Sequence, residues 1–272
     1  MPFVGIRQTG LSPTAPGNGQ GPLPVSLRWL GDHVPGHTRG ITWGVPWPKG
    51  QLTNADTLAL VNPGGDQLDA QHWVTARWPD GSVKWTAHAA TWDSRFEPSA
   101  PELHTTRNKV RPVSGPLTVH DDGAAIQVDT GVMQCTFPKS GQALIRAIRV
   151  DGQLQATDGR LVLEWQSQPE PEVGKDFRTD ILYSEIQDVR VEHQGPVRAV
   201  IRIAGTHRSA ATGRTLLPFI VRCYCYRQVT SIRMVHTIVY DADEYRDFFR
   251  GVGVQFSVPM RDTCYDRHIR FC

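Results

Sequence analysis

The chain has 272 residues, a formal net charge of +2, 39% hydrophobic and 21% charged residues. That length allows two ordinary domains, each with its own core. A near-neutral balance without any clustered Lys/Arg run argues against a nucleic-acid or membrane-surface footprint and leaves a neutral or small-anion partner open.

Residues 1 to about 21, rich in Gly, Pro, Ser, Thr and Gln, read as a flexible leader, because such a composition cannot offset the entropy of ordering. The opening Met1-Pro2-Phe3-Val4-Gly5 lacks the basic-then-apolar pattern of a signal peptide, and no run reaches the apolar length of a membrane span. As written, the chain reads as soluble and cytoplasmic.

A strand is predicted at Leu23–Leu30, then an edge strand or ordered loop at Ile41–Gly50, where Pro46 and Pro48 remove ladder donors. Leu58–Val61 is a further strand. The strongest signal follows: Ala76-Arg77-Trp78-Pro79-Asp80-Gly81-Ser82-Val83-Lys84-Trp85, two alternating runs around a Pro-Asp-Gly turn, is a β-hairpin. Alternation puts Val74, Ala76 and Trp78 on one face with Val83, Trp85, Ala87 and Ala89, so Trp78 and Trp85 are expected in the core. These elements make a small antiparallel barrel or sandwich over residues 22–95. Seven of the eight tryptophans lie in this first third. Trp73, on the opposite face, and Trp43 and Trp47, in the proline-interrupted segment, are expected to be exposed, packing on a neighbouring domain or stacking on sugar rings.

Residues 96–110 lack periodicity and read as a linker. Beyond them, short strands recur at regular spacing over 111–272: Ala124–Val128, Val132–Phe137, Ala143–Val150, Leu161–Trp165, Ile181–Tyr183, Ile186–His193, Val197–Ala204, Leu216–Tyr226, Ser231–Tyr240 and Val252–Val258. With almost no helical periodicity, this is an antiparallel β-sandwich. Only Asp241–Phe249 could form a helical turn. A further strand, Arg267–Phe271, begins just before the last residue, so the sandwich is expected to be incomplete.

Chemistry is sparse. Five cysteines with no CxxC pair make neither a disulfide framework nor a zinc site, and Cys223 and Cys225, two apart in an apolar strand, read as small core residues. No GxSxG, P-loop, GxGxxG or HExxH motif occurs. No cofactor is identifiable. Calcium is the one metal with any candidate ligands, at Asp241, Asp243, Glu244 and Asp247, but the glycine and glutamate that a calcium loop needs are missing. His268 is flanked by Tyr265, Arg267 and Arg270; alternation puts His268 and Arg270 on one strand face, where an anionic sugar could be held, the alternative being a polar edge strand.

Gly44-Val45-Pro46-Trp47-Pro48-Lys49-Gly50, the hairpin 76–85, and Gly251-Val252-Gly253-Val254-Gln255-Phe256-Ser257-Val258-Pro259-Met260 together resemble the exo-rhamnogalacturonan lyase family. The resemblance implies a RIFT-type β-barrel, then a central β-sandwich, then a large α/α-barrel that is not in this chain. It implies cleavage of rhamnogalacturonan, the rhamnose and galacturonate backbone of pectin, by β-elimination. That reaction needs a base at C5, a group that neutralises the adjacent carboxylate and an acid for the leaving oxygen. His268 as base or acid, Arg267 or Arg270 as neutraliser and Tyr265 beside them are the expected site, with an acidic polysaccharide or oligosaccharide as partner. The expectation is a non-catalytic β portion of a lyase-like protein, inactive without the α/α-barrel; the alternative is a stand-alone carbohydrate-binding or scaffolding protein using Trp43, Trp47 or Trp73. Relatives are often secreted, so localisation stays open.

Overall fold

The computed structural model describes residues 6–8, 24–29, 39–92, 101–106, 110–113, 115, 117–174, 176–261 and 263–267. The chain separates into two compact units. One comprises residues up to Leu117 with Gln194–Ala199 and Cys225–Ser231, the other Thr118–His193, Val200–Tyr224 and residues from Ile232 on. Among the described residues no helix is long and apolar enough to cross a membrane.

The first unit contains β1 (Ile6–Gln8), β2 (Val25–Trp29), β3 (Arg39–Pro46), β4 (Leu58–Val61), β5 (Gln67–Leu68), β6 (Ala70–Arg77), β7 (Val83–Trp92) and β8 (Glu102–Thr105). They form two sheets, ordered β1-β2-β8-β4-β5 and β3-β7-β6. Their shared core includes Leu27, Ile41, Trp43, Val45, Trp47, Leu60, Ala90, Trp92 and Leu103.

β3 is an edge strand, as its prolines require. Two other expectations are corrected. The segment 96–110 is not structureless: β8 lies between β2 and β4, with Leu103 fully buried. A single apolar residue in a four-residue strand gives no periodicity, so pairing from both sides creates this strand. The faces of β7 beyond Val83 are also exchanged, whereas Val74 and Val83 pack on the core as expected. The turn forms as expected, with Gly81 at φ +86° and its N–H donated to Trp78 O at 2.9 Å. The register then slips at Val74/Ala76 and again at Ala76/Arg77, so that Val74 faces Thr86 and Arg77 faces Val83. The two bulges lie on opposite strands, an extra Thr75 in β6 and an extra Lys84 in β7, so the register is restored beyond them, while the one added residue in β7 inverts that strand's faces past Val83. Thr86, His88, Ala90 and Trp92 therefore point inward, while Trp85 is 41% exposed and Trp78 half-buried.

The second unit contains β9 (Thr118–Asp121), β10 (Ala125–Asp129), β11 (Met133–Pro138), β12 (Ile145–Val150), β13 (Gln153–Gln166), β14 (Thr179–Gln194), β15 (Arg198–Ser209), β16 (Thr215–Tyr226), β17 (Ile232–Ile238) and β18 (Phe248–Ser257). The ends of β14, β15 and β16 group with the first unit. All belong to one hydrogen-bonded sheet, which forks at β13. Thr157 is bridged to Ala147 of β12 and to Ser257 of β18, while Val162 is bridged to Tyr183 of β14 and to Gly253 of β18. β12 and β14 thus follow one another along one edge of β13, and β18 takes the other edge. The layers β9–β12 and β14–β17 diverge from this fork and close on a core that includes Ile126, Cys135, Phe137, Ile201, Phe219, Val221 and Cys223. Burial, with Cys135 close by, pushes the Cys223 thiol up to about 12, so it packs as an inert apolar group. Within Asp241–Phe249 one turn forms ahead of β18, with the N–H groups of Arg246 and Asp247 bonded to Asp243 O.

Candidate functional site

The expected sugar platforms are elsewhere than anticipated. Ile41, Trp43, Val45 and Trp47 alternate into the core of the first unit, so Trp43 and Trp47 are 6% and 3% exposed rather than open. The prolines mark β3 as an edge without exposing its inner face. Trp73 is half-buried, and the Arg198 guanidinium stacks on its ring at 4.5 Å. Of the proposed catalytic group, Tyr265 sits in a short 3-10 turn, Cys264–Asp266, and is 87% exposed, with Arg267 exposed just after it. His268 and Arg270 lie outside the described residues.

The inward face of the barrel hairpin carries a polar chain instead. Trp47 Nε1 donates to Thr86 Oγ1 at 2.8 Å, Thr86 Oγ1 lies 2.7 Å from His88 Nε2, and His88 Nδ1 lies 2.7 Å from His72 Nδ1. Every link is satisfied if Thr86 donates to His88 Nε2 and a neutral His88 donates from Nδ1 to a neutral His72. Burial pushes His72 down to about 4; burial first, and His72 next, hold His88 well below its usual value. Trp43 stacks on the His88 ring at 5.3 Å. The network links β3, β6 and β7, with Trp47, Thr86 and His88 buried and His72 half-buried. Trp47→Phe should cost about 1–3 kcal/mol by removing the donor to the buried Thr86 oxygen, measurable by urea denaturation.

The open site lies in the second unit. A cleft of about 850 Å³ is lined by the end of β13 (Trp165), the start of β14 (Thr179, Asp180, Leu182), the β15–β16 turn and the Tyr245–Arg246 turn before β18. Its apolar base is the cluster Leu163, Leu182, Leu216 and Leu217, with Trp165 and Phe249 against it. Gly213, at φ +73°, closes the β15–β16 turn and so places Arg214.

The anchor is Asp247, whose carboxylate is buried. It accepts Trp165 Nε1–H at 2.6 Å, Arg214 Nη2 at 2.7 Å and the Asp243 N–H at 3.0 Å. Burial pushes its pKa up, but the Arg214, Asp243 and Trp165 donors together outweigh this and hold it below the usual carboxylate value. Arg214 also sits over the Trp165 ring, 5.7 Å from its centroid. One buried carboxylate thus fixes an indole and a guanidinium at the cleft wall. Asp247→Asn is expected to cost about 2–4 kcal/mol, since it leaves Arg214 without its charge partner; thermal denaturation checks it.

Asp241 accepts Leu217 N–H at 2.8 Å and Asp243 accepts Tyr245 N–H at 2.9 Å, so these acids of the candidate calcium loop serve the backbone. Among the described residues no three His, Cys, Asp or Glu side chains converge as a metal site requires. The reading from sequence missed Trp165, Arg214 and Tyr245. Their available signal was Trp165, the one tryptophan outside the first third, but its partners come from turns far along the chain.

Residues 117–272, more than half of the chain, match the PcRGLX-like protein central beta sandwich domain. The chain belongs to the PcRGLX-like family. Residues 23–104 match the PcRGLX-like N-terminal RIFT barrel domain, so both β modules stand in family order, and the cleft lies in the central sandwich. A curated relative, the uncharacterized protein YetA of Bacillus subtilis (strain 168), is 34% identical over 245 residues; the match takes in 90% of this PcRGLX-like chain and spans 28% of YetA's length. Among solved structures, an alpha-mannosidase from Enterococcus faecalis V583 matches with a TM-score of 0.42 at 11% identity, over 75% of this chain and 28% of that one.

Proposed function

We propose that the chain is the β portion, inactive by itself, of a longer polysaccharide-lyase-like protein that cleaves rhamnogalacturonan by β-elimination. The observation that carries this reading is the pair of family domains in order, one named N-terminal and the other central, in a chain that spans 28% of its relative. The burial of Trp43 and Trp47 and the covering of Trp73 by Arg198 take away the platforms of a stand-alone sugar-binding protein built on those three rings. In the longer protein, His268 is the residue of this stretch proposed to move a proton, with Arg267 or Arg270 neutralising the uronate carboxylate and Tyr265 beside them.

The test is the ultraviolet absorbance of the unsaturated product from rhamnogalacturonan, with full-length YetA and with the 272-residue chain alone. YetA should release product and the short chain should not. Turnover by the short chain, or an inert YetA, would overturn the reading. Alanine at the YetA position aligned with His268 should abolish release; an unchanged rate removes His268 from the reaction.

A further inference from the structure

We propose that the Trp165–Arg214 cleft of the sandwich is itself a binding site for an acidic oligosaccharide. It deepens the reading above and rests on it for the choice of sugar acid; the site is argued from its own geometry. Its volume, about 850 Å³, is in the range of small-ligand pockets.

Three guanidinium groups, Arg178, Arg214 and Arg246, line the cleft against one carboxylate, Asp180. Asp180 Oδ1 already accepts the Ile181 N–H at 2.8 Å. Arg178 and Arg246 reach Asp176 and Asp243 only at 3.4 and 3.8 Å, as exposed pairs that water screens and that a ligand carboxylate can replace. Arg214 spends one edge on Asp247, yet its side chain is 45% exposed, and a guanidinium carries five N–H donors. A planar fork matched to carboxylate is thus presented beside two further cations.

The second half of the match is aromatic. Trp165, bonded to Asp247 and lying under Arg214, serves to hold that guanidinium at the cleft wall. Tyr245, 81% exposed, stands with Arg246 on the turn that closes the cleft. The exposed Tyr245 ring next to guanidinium forks suits a pyranose carrying a carboxylate better than a peptide or a neutral sugar.

Isothermal titration of the 272-residue chain with trigalacturonate tests this, with the same trisaccharide carboxyl-reduced to its neutral form, and an acidic glutamate peptide, as comparisons. Trigalacturonate should bind, and the other two should bind at least about tenfold more weakly, the loss expected when charge-assisted hydrogen bonds are not made. Arg178→Ala/Arg246→Ala and Tyr245→Ala alter exposed side chains, should leave the thermal midpoint unchanged, and should each weaken trigalacturonate by about tenfold or more. No trigalacturonate binding, equal binding of the neutral sugar or the peptide, or unchanged affinity in both variants would overturn the inference. If YetA cleaves rhamnogalacturonan while the cleft ignores trigalacturonate, this inference falls and the lyase reading stands; binding that the variants lose, beside an inert YetA, gives the reverse.

Discussion

Replacing Gly205 with alanine is expected to unfold the second unit or to cost at least about 3 kcal/mol of its stability, beyond the usual range of overpacking. Gly205 lies in β15, where an added Cβ would fall well inside van der Waals contact of the Glu185 carbonyl oxygen on β14 and 2.9 Å from Phe219 Cζ. Phe219 is 1% exposed and has no room to retreat. The obstacle is mostly backbone, so relief means parting two paired strands rather than turning a side chain. Gly253→Ala on β18 is the control, because nothing lies within 4 Å of its Cβ position; a change under about 0.5 kcal/mol is expected there. Denaturant titration of both variants decides the matter, and a Gly205→Ala protein that unfolds like its parent would show that β14 and β15 can separate at little cost.

Acid should destabilise the first unit well before its surface carboxylates protonate. Folded His72 titrates near 4, and His88 is also held low, whereas in the unfolded chain both titrate near 6.5. Between those values the unfolded state binds more protons, so stability is fully present above about pH 6.5 and is lost as pH falls towards 4. For His72, which is half-buried, the loss is about 2–3 kcal/mol, and His88 adds to it. The thermal midpoint measured from pH 7 to pH 4.5 should drop, and His72→Phe should flatten the drop. A flat profile in the parent protein would mean that the imidazoles are not buried as a neutral pair.

The hairpin shows how far sequence carries and where it stops. Its turn was legible because Pro79, Asp80 and Gly81 each do a local job: Asp80 Oδ1 accepts the Ser82 N–H at 3.0 Å, and Gly81 takes the positive φ. Its faces were not, because Thr86 and His88 read as outward polar residues. Burial of both is tolerated only because Trp47 and His72, 39 and 16 residues away from Thr86 and His88 respectively, complete their hydrogen bonds. The sandwich strands were legible from alternation, and Cys223 and Cys225 fell in the core as their spacing implied. Ile181–Tyr183 and Ile186–His193 turn out to be one strand, β14. The cleft was hidden for the same reason as the barrel network: its anchor, Asp247, acts on Trp165, 82 residues earlier, and on Arg214, 33 residues earlier.

The fork at β13 bears on how the protein is made. The edge of β13 that β18 finally covers waits for residues such as Ser257 to reach Thr157, about a hundred positions further along, and closing so large a loop is slow. While a ribosome is still adding those positions, that flank stays an open template for any other extended peptide nearby. Yield in the cell should therefore depend on chaperone supply and growth temperature more strongly than the finished molecule's resistance to denaturant would suggest.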